Sequence, residues 1–184
     1  MFEIPILIMG ESHWKWKEDA GESLTTINFI QENVTGDWRH NQMKRVFNTF
    51  LNDDFNDENI EKFWHSVAYY NYIQEIVGGT SKFRPTKKMW KDAEECFLEV
   101  LEQLKPRCLV VFGVGFFTRY MPQGKEGPKL RIGDKERDTR IYYSLEGSPT
   151  LASSVHHFTR MSPKRWHPWV HLLINQAKKE FDKV

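Results

Sequence analysis

The chain has 184 residues and a mass of 21.9 kDa, enough for one domain with a substantial core and short for two, so a single domain over residues 1–184 is expected. Lys and Arg number 26 against 25 Asp and Glu, and the net charge of +1 excludes a strongly basic nucleic-acid coat or an acidic tail; any contact with a polyanion is local. No apolar run approaches the ~20 residues that span a bilayer, and "MFEIPILIMG" lacks the basic flank and length of a signal peptide, which points to a cytoplasmic or nuclear protein without membrane contact.

In chain order, Ile4 to Gly10 ("IPILIMG") is a short continuous apolar run closed by Gly, the pattern of a strand buried on both faces. A helical pattern around Leu24 to Gln31 follows, then a clearer one with Met43, Val46, Phe47, Phe50 and Leu51 on a single face. "NDDFNDEN" reads as a polar loop. Phe63 to about Tyr70 reads as a second buried strand by β-propensity. After the loop "GGTSKFRPT", Thr86 is placed to cap a long helix with Met89, Trp90, Ala93, Phe97, Val100, Leu101 and Leu104 at helical spacing, ended by Pro106.

"CLVVFG" (Cys108 to Gly113) repeats the grammar of the first strand, and a short helix after Val114 is expected. "MPQGKEGPKLRIGDKERDT" reads as a surface excursion, "PTLASSVHH" as a fourth strand, and Trp169 to Phe181 as a terminal helix. Strands separated by helices in this order predict a three-layer α/β/α sandwich with a mainly parallel central sheet of about four strands. Ligands of such folds bind at the carboxyl ends of the strands, and four of those ends, "GESHW", "YYN", "GVG" and "HHFTR", are expected to converge. Cys96 and Cys108 have no metal-ligand spacing and read as reduced core residues. No metal site, dinucleotide fingerprint or nucleophile elbow is present in the pattern of residues, and no cofactor is expected.

Several side chains at those ends carry chemistry. Asn71 offers a donor and an acceptor that match a pyrimidine edge, or it bonds its own backbone at a strand end, the commoner use of Asn. Glu11 positions water or stabilises positive charge, with Ser12 beside it and Trp14 as a wall for a flat ligand; alternatively Ser12 caps a helix and Glu11 is solvated. His156 donates to an oxygen that gains negative charge, and since neighbours on a strand point oppositely, only one of His156 and His157 is expected to face the site. Arg160, Lys164 and Arg165 with Trp166 suit phosphate contacts and stacking, or form a solvated turn. Aromatic residues are 14% of the chain, with seven Trp, a load that serves stacking surfaces as well as cores.

With Glu, Asn and His at strand ends in that order, the sequence resembles the uracil-DNA glycosylase superfamily, in the flavour of its single-strand-selective monofunctional and related bacterial members. "MGESHW", "FWHSVAYYN" and "VHHFTR" stand where that family has its first loop, its pyrimidine-reading Asn and its late His motif. The resemblance implies that Asn71 reads a flipped base with Trp14, Ser12 and Tyr70 around it, that Glu11 and His156 are catalytic, and that Arg160 is a wedge beside the DNA contacts of Lys164 and Arg165. It implies a monomeric, monofunctional DNA glycosylase acting on uracil-like, deaminated or modified bases in single- or double-stranded DNA. Ser12 in the place where several of these families have a water-activating Asp or Asn, and "HHF" in place of His-Pro-Ser, support an alternative, a base- or nucleic-acid-binding module without hydrolysis. A third reading is an interaction protein with exposed Trp residues.

Overall fold

The computed structural model describes residues 1–13, 26–35, 41–51, 55–78, 82–159 and 161–181. Strands β1 (Ile6–His13), β2 (Ala68–Ile76), β3 (Cys108–Phe112) and β8 (Pro149–Val155) lie parallel in the order β2-β1-β3-β8. The antiparallel strands β7 (Arg140–Tyr143) and β4 (Lys125–Glu126) extend the sheet to six. The segment read as a surface excursion therefore supplies an edge of the sheet, together with a separate hairpin, β5 (Leu130–Ile132) and β6 (Lys135–Arg137).

The alternation of side chains along a strand builds two cores from one sheet. Ile6 and Ile8 of β1, with Cys108, Val110 and Phe112 of β3, face helices α2 (Asn41–Phe50), α3 (Asp57–Trp64) and α6 (Pro163–Phe181). Leu7 and Met9, with Leu109 and Val111, face α4 (Lys87–Leu104) and α5 (Val114–Arg119). The result is a mixed α/β sandwich with helices on both sides of a mostly parallel sheet. Helix α1 (Thr26–Thr35) precedes α2 and contributes Ile30 and Val34 to the first core. Phe47 is fully buried and meets Phe55 and Phe63 edge-on at 5.3 and 5.5 Å, so Phe47→Ala is expected to cost about 3–5 kcal/mol, measurable by urea denaturation.

Two boundaries and the burial of one cysteine depart from the sequence reading. Phe63 and Trp64 end helix α3 rather than open a strand, because Ile60, Phe63 and Trp64 recur at helical spacing behind Asn56, whose side chain accepts from the Asn59 N–H. Helix α6 begins at Pro163, with Pro168 inside it: Trp166, Val170, Leu173, Ala177 and Phe181 bury one face, which outweighs the one ladder bond Pro removes. Cys96 is exposed on α4, whereas Cys108 is buried. Helix α4 starts as expected at the Thr86 cap; it stops at Lys105, left-handed at φ 41°, before Pro106. Among the described residues no helix is long and apolar enough to cross a membrane.

Candidate active site

Strand β1 is central, with β2 on one side and β3 on the other, so the strand order reverses between β1 and β3. In open α/β sheets the crevice at such a reversal, beyond the carboxyl ends of the strands, is where ligands bind. A cleft of about 850 Å³ lies there. Glu11 and Ser12 reach it from β1, Val77, Phe83 and Arg84 from the chain after β2, Gly113 to Phe116 from the β3–α5 turn, and His156, His157 and Thr159 from the chain after β8. The convergence of the first, third and fourth expected ends is thus observed.

Glu11 is three-quarters buried, with its carboxylate 3.8 Å from the Arg84 guanidinium. Burial raises its pKa above the ordinary carboxylate value, and the Arg84 charge offsets only part of that rise. Arg84 itself is exposed, so the pair holds Glu11 weakly. Beside Arg84, the exposed Phe83 ring rests on Gly78, where a Cβ would lie 2.6 Å from the ring; the glycine makes room for this aromatic wall.

Both histidines line the cleft, a departure from the expectation that only one would. Strand β8 ends at Val155, so His156 and His157 lie beyond the pleat and its alternation no longer holds. The Thr159 N–H donates to His157 Nδ1 at 3.4 Å and the Thr159 hydroxyl lies 2.9 Å from the same nitrogen, which places the His157 proton on Nε2. Arg45 on α2 donates to the carbonyls of Phe158 and Thr159 at 3.1 and 2.7 Å and anchors this turn. His156, exposed at the surface, lies 4.7 Å from the Trp166 ring; partial desolvation, then the charges of Arg165 and Arg137, lower its pKa below the ordinary imidazole value.

Asn71 has a different place from the one its residue type suggested. It is 3% exposed, and it is not among the residues that line the cleft. Its Nδ2 donates to His13 Nε2 at 2.5 Å, and its Oδ1 accepts from the Tyr69 hydroxyl at 3.4 Å. The Thr26 hydroxyl of α1 lies 3.0 Å from the same His13 nitrogen. The register sets Asn71 opposite Gly10, where a Cβ would stand 2.2 Å from Asn71 Oδ1 and 2.8 Å from the Tyr69 oxygen. Gly10 is the notch in which the carboxamide lies. The β1–β2 register shifts between Ser12 and His13, a bulge of the kind that redirects side chains at strand ends.

Burial lowers the His13 pKa, so its neutral form is built into the fold. The unfolded chain takes a proton near the ordinary value of 6.5 while the folded chain resists it, so stability is full above that pH and falls as the pH drops below it. Thermal unfolding across that range should show this acid loss, and His13→Gln should reduce it.

The remaining expected residues are dispersed. Tyr70 faces α4, beside Met89 and Cys96 and away from the cleft, because it alternates with Asn71 along β2. Lys164 is exposed on the first turn of α6, and Arg165 borders a second cleft. Trp14 and Arg160 lie outside the described residues. Arg84, Phe83 and Arg119 join the site without having been singled out; Phe83 and Arg84 lie on the connection between β2 and α4, beyond the carboxyl end of β2, a position that strand-end logic reaches once β2 is correctly bounded. Among the described residues, no group of three or more His, Cys, Asp or Glu side chains is placed to hold a metal ion.

No family model and no curated protein matches this chain.

Proposed function

We propose that the protein is a monofunctional DNA glycosylase that accepts a flipped uracil-like, deaminated or otherwise modified base and hydrolyses its N-glycosidic bond. The observation that carries this reading is the pairing, across one cleft at the strand-order reversal, of the buried Glu11 carboxylate with the His156–His157 turn. Bond cleavage leaves the sugar cation-like and the base anionic. Glu11, ionised, stabilises the sugar or orients the water that adds to it, while the imidazole N–H groups donate to the base oxygen that gains charge. Phe83 offers a stacking face, and Arg84 and Arg119 at the rim suit the flanking phosphates. Extruding the base costs a few kcal/mol, least in single strands or at damaged pairs.

Asn71 acts in this scheme as a positioning residue. Its amide is engaged with His13, and it meets a base only by exchanging that bond. The same engagement favours a second reading, a base-binding module that keeps the cleft without hydrolysis. The two readings separate on the histidines. In a glycosylase, His156→Ala combined with His157→Ala lowers single-turnover excision about 100- to 1,000-fold and leaves oligonucleotide affinity within a few-fold. Wild-type binding without excision from any substrate favours the module, and parallel losses of binding and excision contradict the assigned roles.

A further inference from the structure

A second cleft, of about 590 Å³, opens beside the first between the β5–β6 hairpin and the start of α6. Val114 lines both clefts, and the His156 ring of the first lies 4.7 Å from Trp166, which lines the second. The Arg137 guanidinium, at the end of β6, stands 4.1 Å from the centre of the Trp166 ring and 5.5 Å from that of Trp169. The Arg165 guanidinium lies 5.9 Å from the same Trp166 ring. Two guanidinium groups are thus gathered around one indole. Their charges act on each other and on His156: burial and the Arg165 charge both depress the Arg137 pKa.

The neighbouring carboxylates do not relieve this repulsion. Asp134, Glu136 and Asp138 border the cleft, but Glu136 pairs with Arg131 at 2.7 Å and with Lys129 at 3.6 Å, Asp138 lies 3.7 Å from Lys129, and Asp134 sits in the β5–β6 turn without an ion-pair contact to Arg137 or Arg165. Among the described residues, no carboxylate stands within ion-pair distance of Arg137 or Arg165. Trp166, 2% exposed, also holds its buried indole N–H without a hydrogen-bond partner among the described residues. A tetrahedral oxyanion satisfies such a pair: guanidinium forks match its oxygens, and its charge removes the repulsion between them. The indole faces hold Arg137 in place for it.

We propose that Arg137 and Arg165 form a phosphate-binding subsite that grips a backbone phosphodiester of the strand whose target base enters the first cleft. The inference rests on the glycosylase reading and adds to it the place where the strand is held, a contact that a free nucleoside, having no phosphate, does not make. The hairpin, with no part in the parallel sheet, is the element that supplies half of the subsite.

The test is fluorescence anisotropy of a short uracil-containing single strand between about 50 and 200 mM salt, with excision measured on the same preparations. Arg165 is exposed, so Arg165→Gln leaves folding intact, and Arg137→Gln provides the second variant. Each is expected to reduce the salt slope by about 0.7, the loss of one phosphate contact to a single strand, and to weaken low-salt binding roughly five-fold, whereas Lys125→Gln, on the edge strand β4 and not among the residues that line either cleft, changes neither. A slope unaltered in both arginine variants overturns the subsite, and so does a wild-type protein that does not bind the strand at low salt. Quenching of tryptophan fluorescence by inorganic phosphate that Arg165→Gln abolishes, with the strand's slope unchanged, identifies free phosphate as the occupant and also overturns it. Arginine-dependent strand binding without excision contradicts the glycosylase reading alone and leaves the subsite standing.

Discussion

Glu11→Gln is expected to lower base excision by about 100- to 10,000-fold while leaving DNA affinity within a few-fold of wild type. The carboxylate is three-quarters buried, and the amide keeps its shape and removes its charge. The same substitution should raise stability. Because burial lifts the Glu11 pKa, the folded chain holds a proton there more tightly than the unfolded chain; stability is fully present below the unfolded value of 4.5 and is lost as pH rises through the folded value. At neutral pH an ionised Glu11 is therefore a cost, which Gln relieves, a trade of stability for activity common at functional sites. Excision should also fall in acid, with a midpoint above the ordinary carboxylate range, as Glu11 takes up its proton. A variant that loses both activity and stability contradicts this account of Glu11.

Gly10→Ala is expected to destabilise the fold by about 1–3 kcal/mol and to abolish excision as well. The added Cβ falls 2.2 Å from Asn71 Oδ1, and the displaced carboxamide loses its hold on His13 and Tyr69. The backbone of Gly10 is also the link that carries Glu11 into the cleft. Asn71→Ala, which empties the notch, should then restore part of the stability lost in Gly10→Ala, whereas the two single substitutions on separate backgrounds each destabilise. Urea denaturation of the two single variants and the double variant checks the coupling, and strict additivity contradicts the notch.

The central sheet was legible in the sequence because β1 and β3 are buried on both faces: "ILIM" and "CLVVF" are apolar at every position, which no amphipathic helix or half-exposed strand of that length requires. Helix α4 was legible from its Thr86 cap and its stripe. The "FWHS" segment was misread because Phe and Trp favour strands as much as buried helix faces. The deciding signals, the Asn56 cap and the acidic first turn of Asp57 and Glu58, lay upstream of the aromatic residues. The β5–β6 hairpin also had a local signature, Gly133–Asp134 between Ile132 and Lys135, with Gly133 at φ 60°.

Of the site, Glu11, Ser12 and the histidine turn were visible as chemistry at strand ends. The engagement of Asn71 was not, because it depends on the register that sets it opposite Gly10 and on a bulge that brings His13 beside it. Neither leaves a mark on residue type. Arg137 was hidden for a related reason: its meaning comes from Trp166 and Arg165, 29 and 28 positions further along the chain, which only the fold brings to it.

The most direct test of the glycosylase assignment is excision by the purified protein from labelled oligonucleotides carrying uracil, hypoxanthine, xanthine or 5-hydroxymethyl pyrimidines. Each is presented single- and double-stranded, and abasic sites are revealed by alkaline cleavage. The account predicts release of the free base from at least one of these substrates, an intact strand until alkali is added, and loss of the signal in Glu11→Gln. Absence of abasic sites across the panel, with strand binding retained, would contradict it and leave the cleft as a binding site without hydrolysis.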